Sequence, residues 1–423
     1  MNLNIVNQTS QFLIICSVFL LLLASPAPAI EKNRIHFLTD EEESFLEQHW
    51  PDTIPLQGKP PETYTNLESS LSPADCGQCH PQQYKDWQTS LHSKSMGPGV
   101  LGQIIDMLDT DSETAKICWR CHTPLAEQQS VLRQQSVFGY NNWEPNPAFD
   151  RQLQHQGLVC AGCHIRNHRR FGPPPRRFPN ASGRVSQDLA HEGFTATSAF
   201  SKSTFCKGCH QFNVDDYALN GKLIENTYNE WVDSQYAKKG IQCQTCHMPD
   251  RRHLWRGIHD PDMVKNGVDI STTLTQTGHE EGDTVEATIT VKNSGVGHYF
   301  PTYLTPKVFI RAYFVDKNQH MVPDTIQEAV IGRDATLNLS KELFDNRIPP
   351  GEALSVIYQQ RLPDENLDLL VEVEVDPDNF YRRFYQSLLE TNATGKGRSF
   401  IEKALKNANE SSFRIYNRIF KLK

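Results

Sequence analysis

The chain has 423 residues and a formal net charge of −8, and its length predicts two or three domains. Apolar residues make up 38%, and the 24 glycines bring the fraction to about 44%, slightly below the usual range, so a further source of buried apolar surface is expected. The acidic balance and the lack of a basic tail argue against nucleic acid as a partner.

Residues 1–29 have the pattern of a secretory signal peptide. Phe12–Ala24 is an apolar run of 13 residues, too short for an ordinary membrane span. Ala27 and Ala29 supply the small residues expected before a cut after Ala29. No Lys or Arg precedes the run, so an uncleaved anchor is the alternative. We therefore expect an exported protein, periplasmic or extracellular, with no membrane span once the signal is removed.

Residues 30–70 are predicted to form a short helix followed by an extended strap. Thr39 and Glu42 have the spacing of a capping box, which predicts a helix that runs to about His49. Pro51 ends this helix, and residues 51–75 are rich in proline, serine and threonine. Such a composition predicts an extended segment, which we expect to wrap the next domain.

One pattern, Cys-x-x-Cys-His, occurs five times in residues 71–265 and dominates the chain. It uses ten of the 11 cysteines, and the remaining one, Cys16, lies in the signal segment. The copies are Cys76–His80, Cys118–His122, Cys160–His164, Cys206–His210 and Cys243–His247. The second cysteines of the copies are, in order, Cys79, Cys121, Cys163, Cys209 and Cys246.

The chemistry of c-type haem explains this spacing. Cysteines three residues apart lie on nearly the same face of a helical turn, so both sulfurs can bond the vinyl-bearing edges of one porphyrin. The adjacent histidine is then held under the iron as its proximal ligand. A single copy would also suit a zinc site, a redox dithiol or a disulfide, but five copies favour covalent haem. We therefore predict five haem c groups, with iron bound by His80, His122, His164, His210 and His247.

The spacing of the motifs predicts closely packed haems. Successive motifs begin roughly 40 residues apart, and no residue-level repeat accompanies this spacing. So little protein per cofactor cannot bury five porphyrins separately. We expect a pentahaem domain of short helices and loops over residues 71–265, in which neighbouring haems are close enough for electrons to hop between them.

The second axial position of each iron decides between electron transfer and catalysis. A second histidine saturates the iron, whereas an open position lets a small molecule bind and react. The chain has 16 histidines, so enough remain beyond the proximal five to supply every distal ligand. The candidate distal ligands are His92, His168, His191, His253, His259 and His298.

Position along the chain limits what some of these candidates can do. If one helix joins His80 and His92, they are roughly 18 Å apart, so His92 would serve a different haem. His168 follows His164 by four residues on the same helical face, so it ligates another iron or none. His298 lies in a glycine-containing loop between two predicted strands, from which we expect it to reach a haem.

Residues 266–377 change to a β pattern. Apolar and polar residues alternate with period two, β-branched residues are frequent, and turn residues separate the runs. The predicted strands are Val268–Thr275, Thr284–Val291, Val308–Val315, Ala353–Gln359 and Leu369–Val375. They predict an antiparallel β-sandwich of immunoglobulin-like shape. Residues 378–423 are predicted to form a helical tail, so the whole chain is expected to be a multidomain α+β protein.

Several motifs resemble those of exported multihaem cytochromes c related to the tetrahaem cytochrome of nitrifying bacteria. The matching segments are Cys76–Met96, Cys206–Phe212, Asn226–Trp231, Gln242–Pro249 and Gly297–Thr302. The last of these is similar to a loop of multihaem cytochromes that have a C-terminal β-domain. The resemblance covers roughly residues 72–305 and implies electron transfer, with ligand roles for His92 and His298. Five motifs differ from the tetrahaem count, so the pairing of haems is not carried over.

These observations predict an electron carrier, with no catalytic residue, that exchanges electrons with a periplasmic or membrane-associated redox protein. The first alternative is an oxidoreductase that acts on a small nitrogen or sulfur compound at one open haem. The chain has no Cys-x-x-Cys-Lys, the active-haem signature of ammonia-forming nitrite reductases. The second alternative is a homo-oligomer, in which subunits stack into an extracellular cytochrome filament.

Overall fold

The computed structural model describes residues 38–135, 141–185 and 190–423. The described residues belong to one structural unit, Leu38–Lys423. The predicted signal peptide and the start of the predicted N-terminal segment lie outside the described residues. No described helix is long and apolar enough to cross a membrane.

The helices are short and concentrate before residue 268. The α-helices are α1 (Asp40–His49), α2 (Asn66–Ser69), α3 (Pro73–Cys79), α4 (Pro81–Thr89), α5 (Pro98–Thr110), α6 (Ser112–His122), α7 (Arg151–His155), α8 (Cys160–His164), α9 (Thr204–His210), α10 (Thr227–Val232), α11 (Gln235–Lys238), α12 (Cys243–His247), α13 (Pro261–Gly267), α14 (Asn379–Glu390) and α15 (Arg398–Asn409). Single-turn 3-10 helices are His92–Lys94, Ala126–Gln128, Ala190–Glu192, Ser198–Ser201 and Pro249–Arg251.

The strands are very short in the first half and long in the second. In the first half they are β1 (Val131–Gln135), β2 (Asn141–Pro145), β3 (Ile165–Arg166), β4 (Arg169–Gly172), β5 (Gly183–Val185), β6 (Phe194–Ala196), β7 (Ala218–Leu219) and β8 (Lys222–Leu223). In the second half they are β9 (Val268–Leu274), β10 (Thr284–Asn293), β11 (Lys307–Val315), β12 (Gln327–Ala335), β13 (Glu342–Asp345), β14 (Ala353–Arg361), β15 (Asp368–Asp376) and β16 (Phe413–Phe420).

The strap after α1 lies against the segment that follows the second cysteine motif. Ile54 donates its main-chain N–H to the carbonyl of Pro124 at 2.8 Å. Its own carbonyl accepts from the N–H of Ala126, also at 2.8 Å, and the Ile54 side chain is fully buried. The segment is thus tied down by main-chain hydrogen bonds and one apolar anchor.

Helix α1 begins with the capping box that the sequence predicts. The Glu42 N–H donates to Thr39 Oγ1 at 3.2 Å, and the Thr39 N–H donates to Glu42 Oε2 at 2.8 Å. Because this cap satisfies amide groups that the helix itself leaves unpaired, Thr39→Ala is expected to lower the free energy of unfolding by about 1 kcal/mol. Chemical denaturation would measure the loss. Ser44→Ala, in the middle of the same helix, is the control and should change stability by less than half as much.

The five cysteine motifs all lie at the C-terminal end of a helix. In the second, third, fourth and fifth motifs the histidine is the last helical residue, and in the first it directly follows the helix. The helices concerned are α3, α6, α8, α9 and α12. Both cysteines and the histidine of one motif therefore point from the same last turn, as the haem interpretation requires.

Two antiparallel sheets in the second half share one hydrophobic core. The three-stranded sheet has the order β14-β10-β9, and the five-stranded sheet has the order β13-β12-β11-β15-β16. Fully buried side chains from both sheets meet between them, including Val285 and Val291 from β10 and Val308, Phe314 and Val373 from the larger sheet. The five predicted strands are all present, and β12, β13 and β16 add to them.

The end of the chain corrects the prediction of a helical tail. Helices α14 and α15 form as predicted, but Phe413–Phe420 is a strand that pairs antiparallel with β15. The physical reason is that Phe413 and Ile415 pack against the core of the β-domain while their neighbour Arg414 points outward to Glu372. This alternation suits an edge strand better than the helix predicted for the end of the tail.

Candidate haem-binding site

A large cavity runs through the helical half of the described structure. Its volume is about 2150 Å³, whereas sites for one small ligand usually measure about 300–1000 Å³. The histidines of all five motifs line it. Five of the predicted distal candidates also line it, namely His92, His191, His253, His259 and His298. The cavity therefore has room for several large groups next to the residues that would hold them.

The motif cysteines suit covalent haem better than the alternatives considered for a single copy. All ten are free thiols, so none of them is held in a disulfide. In the described part of the chain, no group of three or more His, Cys, Asp or Glu side chains is placed to hold a metal ion. A zinc site is therefore not preformed at these motifs, whereas paired thiols and an adjacent imidazole facing a cavity fit a porphyrin.

Three motif histidines each face a second imidazole. Two imidazoles bonded at about 2 Å to opposite sides of one metal ion have ring centroids roughly 6 Å apart. The facing pairs are His164 with His253 at 6.1 Å, His92 with His210 at 6.2 Å, and His247 with His298 at 6.4 Å between centroids. Each pair therefore has the spacing that an iron between the two rings would need.

His191 lies near His80, the histidine of the first motif. Burial, together with the nearby His191, lowers the pKa of His80. His191 is held by the strap, since its N–H donates to Glu68 Oε1 at 2.7 Å and its carbonyl accepts from the Tyr64 hydroxyl at 2.9 Å. The strap thus fixes a fourth candidate imidazole near a motif histidine.

The second motif is the exception. His122 donates from Nδ1 to the carbonyl of Ser95 at 2.5 Å. Among residues 38–135, 141–185 and 190–423, no histidine ring stands opposite it in the way found at the third, fourth and fifth motifs. Tyr381 of α14 lies near this motif. Burial raises the pKa of its phenol, and the neighbouring Cys118 thiol acts in the same direction.

Hydrogen bonds orient most of these rings in one way. Their Nδ1 atoms donate to an oxygen, which leaves the lone pair on Nε2 free for a metal. The rings and their acceptors are His122 with Ser95, His164 with Phe171, His191 with Gly193, His210 with Tyr303, His247 with Arg256, His253 with Arg251 and His298 with Tyr299. All acceptors are main-chain carbonyls except at His210, which donates to the Tyr303 hydroxyl at 2.8 Å.

Burial also keeps several of these imidazoles neutral. It lowers the pKa of His92 to about 3, and those of His164, His210 and His298 to about 4. A neutral ring retains the lone pair that a metal ligand must donate. At neutral pH these side chains therefore have the protonation state that iron ligation requires.

Two predicted distal ligands do not reach a motif histidine. His168 lies in the turn between β3 and β4, with φ at 58°, and its Nε2 donates to the carbonyl of Gly58 at 3.0 Å. His259 donates from Nε2 to Asp378 Oδ1 at 3.1 Å. In each case Nε2, the nitrogen left free for a metal in the other rings, is hydrogen-bonded here. The geometry therefore does not support ligand roles for these two residues.

One loop of the β-domain contacts two motifs. This ligand loop, residues 297–304, places His298 opposite His247 and Tyr303 on His210. Glu230 of α10 holds the loop, since its Oε2 accepts the N–H of Tyr299 at 3.1 Å. The sequence predicted that this loop reaches a haem through His298 but gave no sign of the role of Tyr303.

The motifs also contact one another. Thiols of different motifs lie close enough to shift each other's pKa in three pairs: Cys76 with Cys160, Cys121 with Cys209, and Cys206 with Cys243. The fourth motif therefore adjoins both the second and the fifth, and the first adjoins the third. Groups attached at these cysteines would have their edges side by side.

Trp255 is a further residue of the site that the sequence did not indicate. Its ring packs edge-on against His92 at 4.8 Å and against His253 at 5.0 Å between centroids. The main-chain N–H of Trp255 donates to the main-chain carbonyl of His247 at 2.9 Å. One aromatic residue thus braces imidazoles that belong to two different facing pairs.

Comparison with known proteins agrees with this geometry. The family model described as cytochrome c554 and c-prime matches residues 75–141. The crystal structure of a penta-haem cytochrome c552 from Thermochromatium tepidum aligns with 84% of this chain and 99% of that chain, at a TM-score of 0.54 and 16% identity. At that identity the likeness shows a common fold. Together these findings support a multihaem c-type cytochrome.

The other comparisons add nothing to this result. Spo0M, a sporulation control protein from Bacillus subtilis, matches 26% of this chain and 43% of its own length, at 16% identity and a TM-score of 0.13. The structural genomics target SoR45 matches 37% of this chain and 83% of its own length, at 12% identity and a TM-score of 0.17. Both scores are too low to support an argument about fold. No curated protein matches the chain.

Proposed function

We propose that the protein is an electron carrier that binds five haem c groups, one at each cysteine motif. When bound, a haem iron supplies a one-electron couple between the ferric and ferrous states. The observation that carries the proposal is the set of facing imidazoles: His164 with His253, His210 with His92, and His247 with His298. Two imidazoles on one iron leave no position for a substrate, which suits electron transfer.

The protein's own residues would keep these sites rigid and dry. Carbonyl acceptors fix the rings through Nδ1, and aromatic side chains such as Trp255 and Phe200 pack against imidazoles. Rigid ligands change little between the two redox states, so less reorganisation accompanies each electron. The close approach of cysteines from different motifs would place the edges of neighbouring haems side by side and favour electron movement between them, with the fourth motif next to two others.

The partner would be another redox protein, periplasmic or membrane-associated, and the protein would act outside the cytoplasm. The predicted signal peptide and the compartment in which c-type haem is attached support this location. An immunoglobulin-like β-domain and a distant kinship with the nitrifier tetrahaem cytochromes belong to the same proposal. The β-domain's role in it is to supply the ligand loop.

A second candidate function is favoured by the second motif. Because no imidazole stands opposite His122 in the described residues, an iron held there would keep one position for a small molecule. The nearby phenol of Tyr381 would offer a hydrogen-bond donor to such a molecule. This arrangement suits an oxidoreductase that acts on a small nitrogen or sulfur compound.

Carbon monoxide distinguishes the two functions. We expect haem analysis to give five haems per chain, and the dithionite-reduced protein to show about a fifth of its haem absorbance shifted by carbon monoxide, since one iron in five lacks a second imidazole. No shift would mean that every iron is saturated, and the second candidate would lose its site. A shift of most of the absorbance would contradict the carrier, because the facing pairs would then not be ligands.

A further inference from the structure

Tyr303 sets the fourth motif apart from the others. His210 donates from Nδ1 to its hydroxyl at 2.8 Å, whereas His122, His164 and His247 donate to main-chain carbonyls. A carbonyl can only accept a hydrogen bond, but a phenol can accept one and donate another. The hydrogen bond from His210 can therefore continue into a longer chain.

The chain continues through Thr227 to a carboxyl group. The Thr227 side chain lies close enough to the Tyr303 hydroxyl to oppose the rise that burial gives to the Tyr303 pKa, and the neighbouring Thr302 Oγ1 is 2.7 Å from Thr227 Oγ1. The Thr227 hydroxyl donates to Glu225 Oε1 at 3.2 Å. Because an N–H donor stands at one end and a carboxylate acceptor at the other, each hydroxyl donates onward in the same direction. The order is His210, Tyr303, Thr227 and Glu225.

Glu225 is a group that can change its charge near neutral pH. Burial raises its pKa to about 8, and the Glu230 carboxylate from α10 acts in the same direction. The other titratable groups that face it are Tyr303 from the ligand loop, Tyr381 from α14 and Cys121 from α6. Cys121 has no charge once it forms a thioether. The residue as a whole is half-buried, although its carboxyl is mostly covered.

We propose that Tyr303 is a positioning residue that couples the protonation of Glu225 to the redox state of the iron at His210. The proposal rests on haem attachment at Cys206 and Cys209. If a one-electron donor reduced an iron held at His210, Glu225 would take up one proton from water, and oxidation would return the electron to an acceptor and the proton to water. An ionised Glu225 strengthens every hydrogen bond in the chain, which makes the imidazole a stronger donor and favours the ferric state.

Redox titrations of the purified holoprotein, followed by electron paramagnetic resonance at several pH values, test this coupling. We expect one of five potentials to fall as pH rises, with a slope that approaches about 59 mV per tenfold change in proton concentration. Glu225→Gln is expected to remove this slope. Tyr303→Phe is expected to weaken it and to shift the g-values of the same low-spin ferric signal, since the ligand loses its hydrogen bond.

Tyr228→Phe is the matched control. It removes another hydroxyl next to the cavity, but this hydroxyl is bonded to Thr204 rather than to an imidazole, so the slope and the g-values should stay unchanged. A slope that persists in Glu225→Gln, or a ferric signal of Tyr303→Phe identical to that of the wild type, would overturn the coupling. Haem analysis of each variant separates this result from a failure of the proposed function, which would appear as fewer than five haems.

Discussion

A His298→Ala variant is expected to bind carbon monoxide at two haems in five instead of one. His298 faces His247 at 6.4 Å between ring centroids, and burial keeps its imidazole neutral with a pKa of about 4. Removing the ring leaves one axial position empty without touching the cysteines that bind the porphyrin. The fraction of reduced haem that shifts with carbon monoxide should therefore double, and a high-spin signal should appear in the oxidised protein.

His259→Gln is the matched control for this change. His259 also lines the cavity, but its Nε2 is bonded to Asp378, so the variant should respond to carbon monoxide like the wild type. If His298→Ala and the wild type behave alike, His298 is not an axial ligand. If His259→Gln gains a second responsive haem, the geometry has assigned the wrong histidine.

Replacing Glu230 with alanine is expected to lower the free energy of unfolding by about 1.5–3 kcal/mol, because the buried Arg347 loses one of its two carboxylate partners and keeps only Asp345. Only 4% of the Glu230 side chain and 5% of the Arg347 side chain are exposed, and their closest atoms are 2.8 Å apart. Glu230 also accepts the N–H of Tyr299, so the ligand loop loses its anchor. Chemical denaturation measures the loss, and a new high-spin fraction would report the loosened loop.

An exposed ion pair in the same β-domain provides the comparison. Glu328 pairs with Arg311, and 41% of the Glu328 side chain is exposed. Solvent screens such a pair, so Glu328→Ala should cost less than about 1 kcal/mol. If both variants lost the same free energy of unfolding, burial of the Glu230–Arg347 pair would contribute nothing to stability.

The strands of the β-domain were predictable from the sequence where apolar and polar residues alternate regularly. They were not predictable where charged side chains are buried. Strands β10 and β15 both alternate apolar and polar residues over most of their length, so the sequence locates them within two residues, although only β10 has one core-facing side and β15 is buried on both faces. Strand β12 contains Arg333 and Asp334, which read as exposed. Arg333 is nevertheless 1% exposed and pairs with Glu342 at 2.8 Å. Such a partner comes from another strand and is invisible in a local pattern.

The haem-binding residues likewise divide into those that a local pattern reveals and those that only the tertiary structure brings together. Each cysteine motif is local, because one helical turn holds both thiols and the histidine, so five residues suffice to recognise it. The facing imidazoles come from distant segments, and only tertiary structure pairs His92 with His210. Helical spacing indicated that His92 serves a different haem from that of His80, but it could not indicate which. Tyr303 left no signal beyond its place in the loop that carries His298.

The ligand loop has a consequence for how the protein matures after export. Residues 297–304 are made after all five cysteine motifs, yet they supply an imidazole to the fifth and a hydroxyl to the fourth. Attachment to cysteine can therefore finish while these two centres are still incomplete. They become complete only when the β-domain folds and brings its loop across. Under the proposed function, completion of these two centres would therefore depend on folding of the C-terminal half.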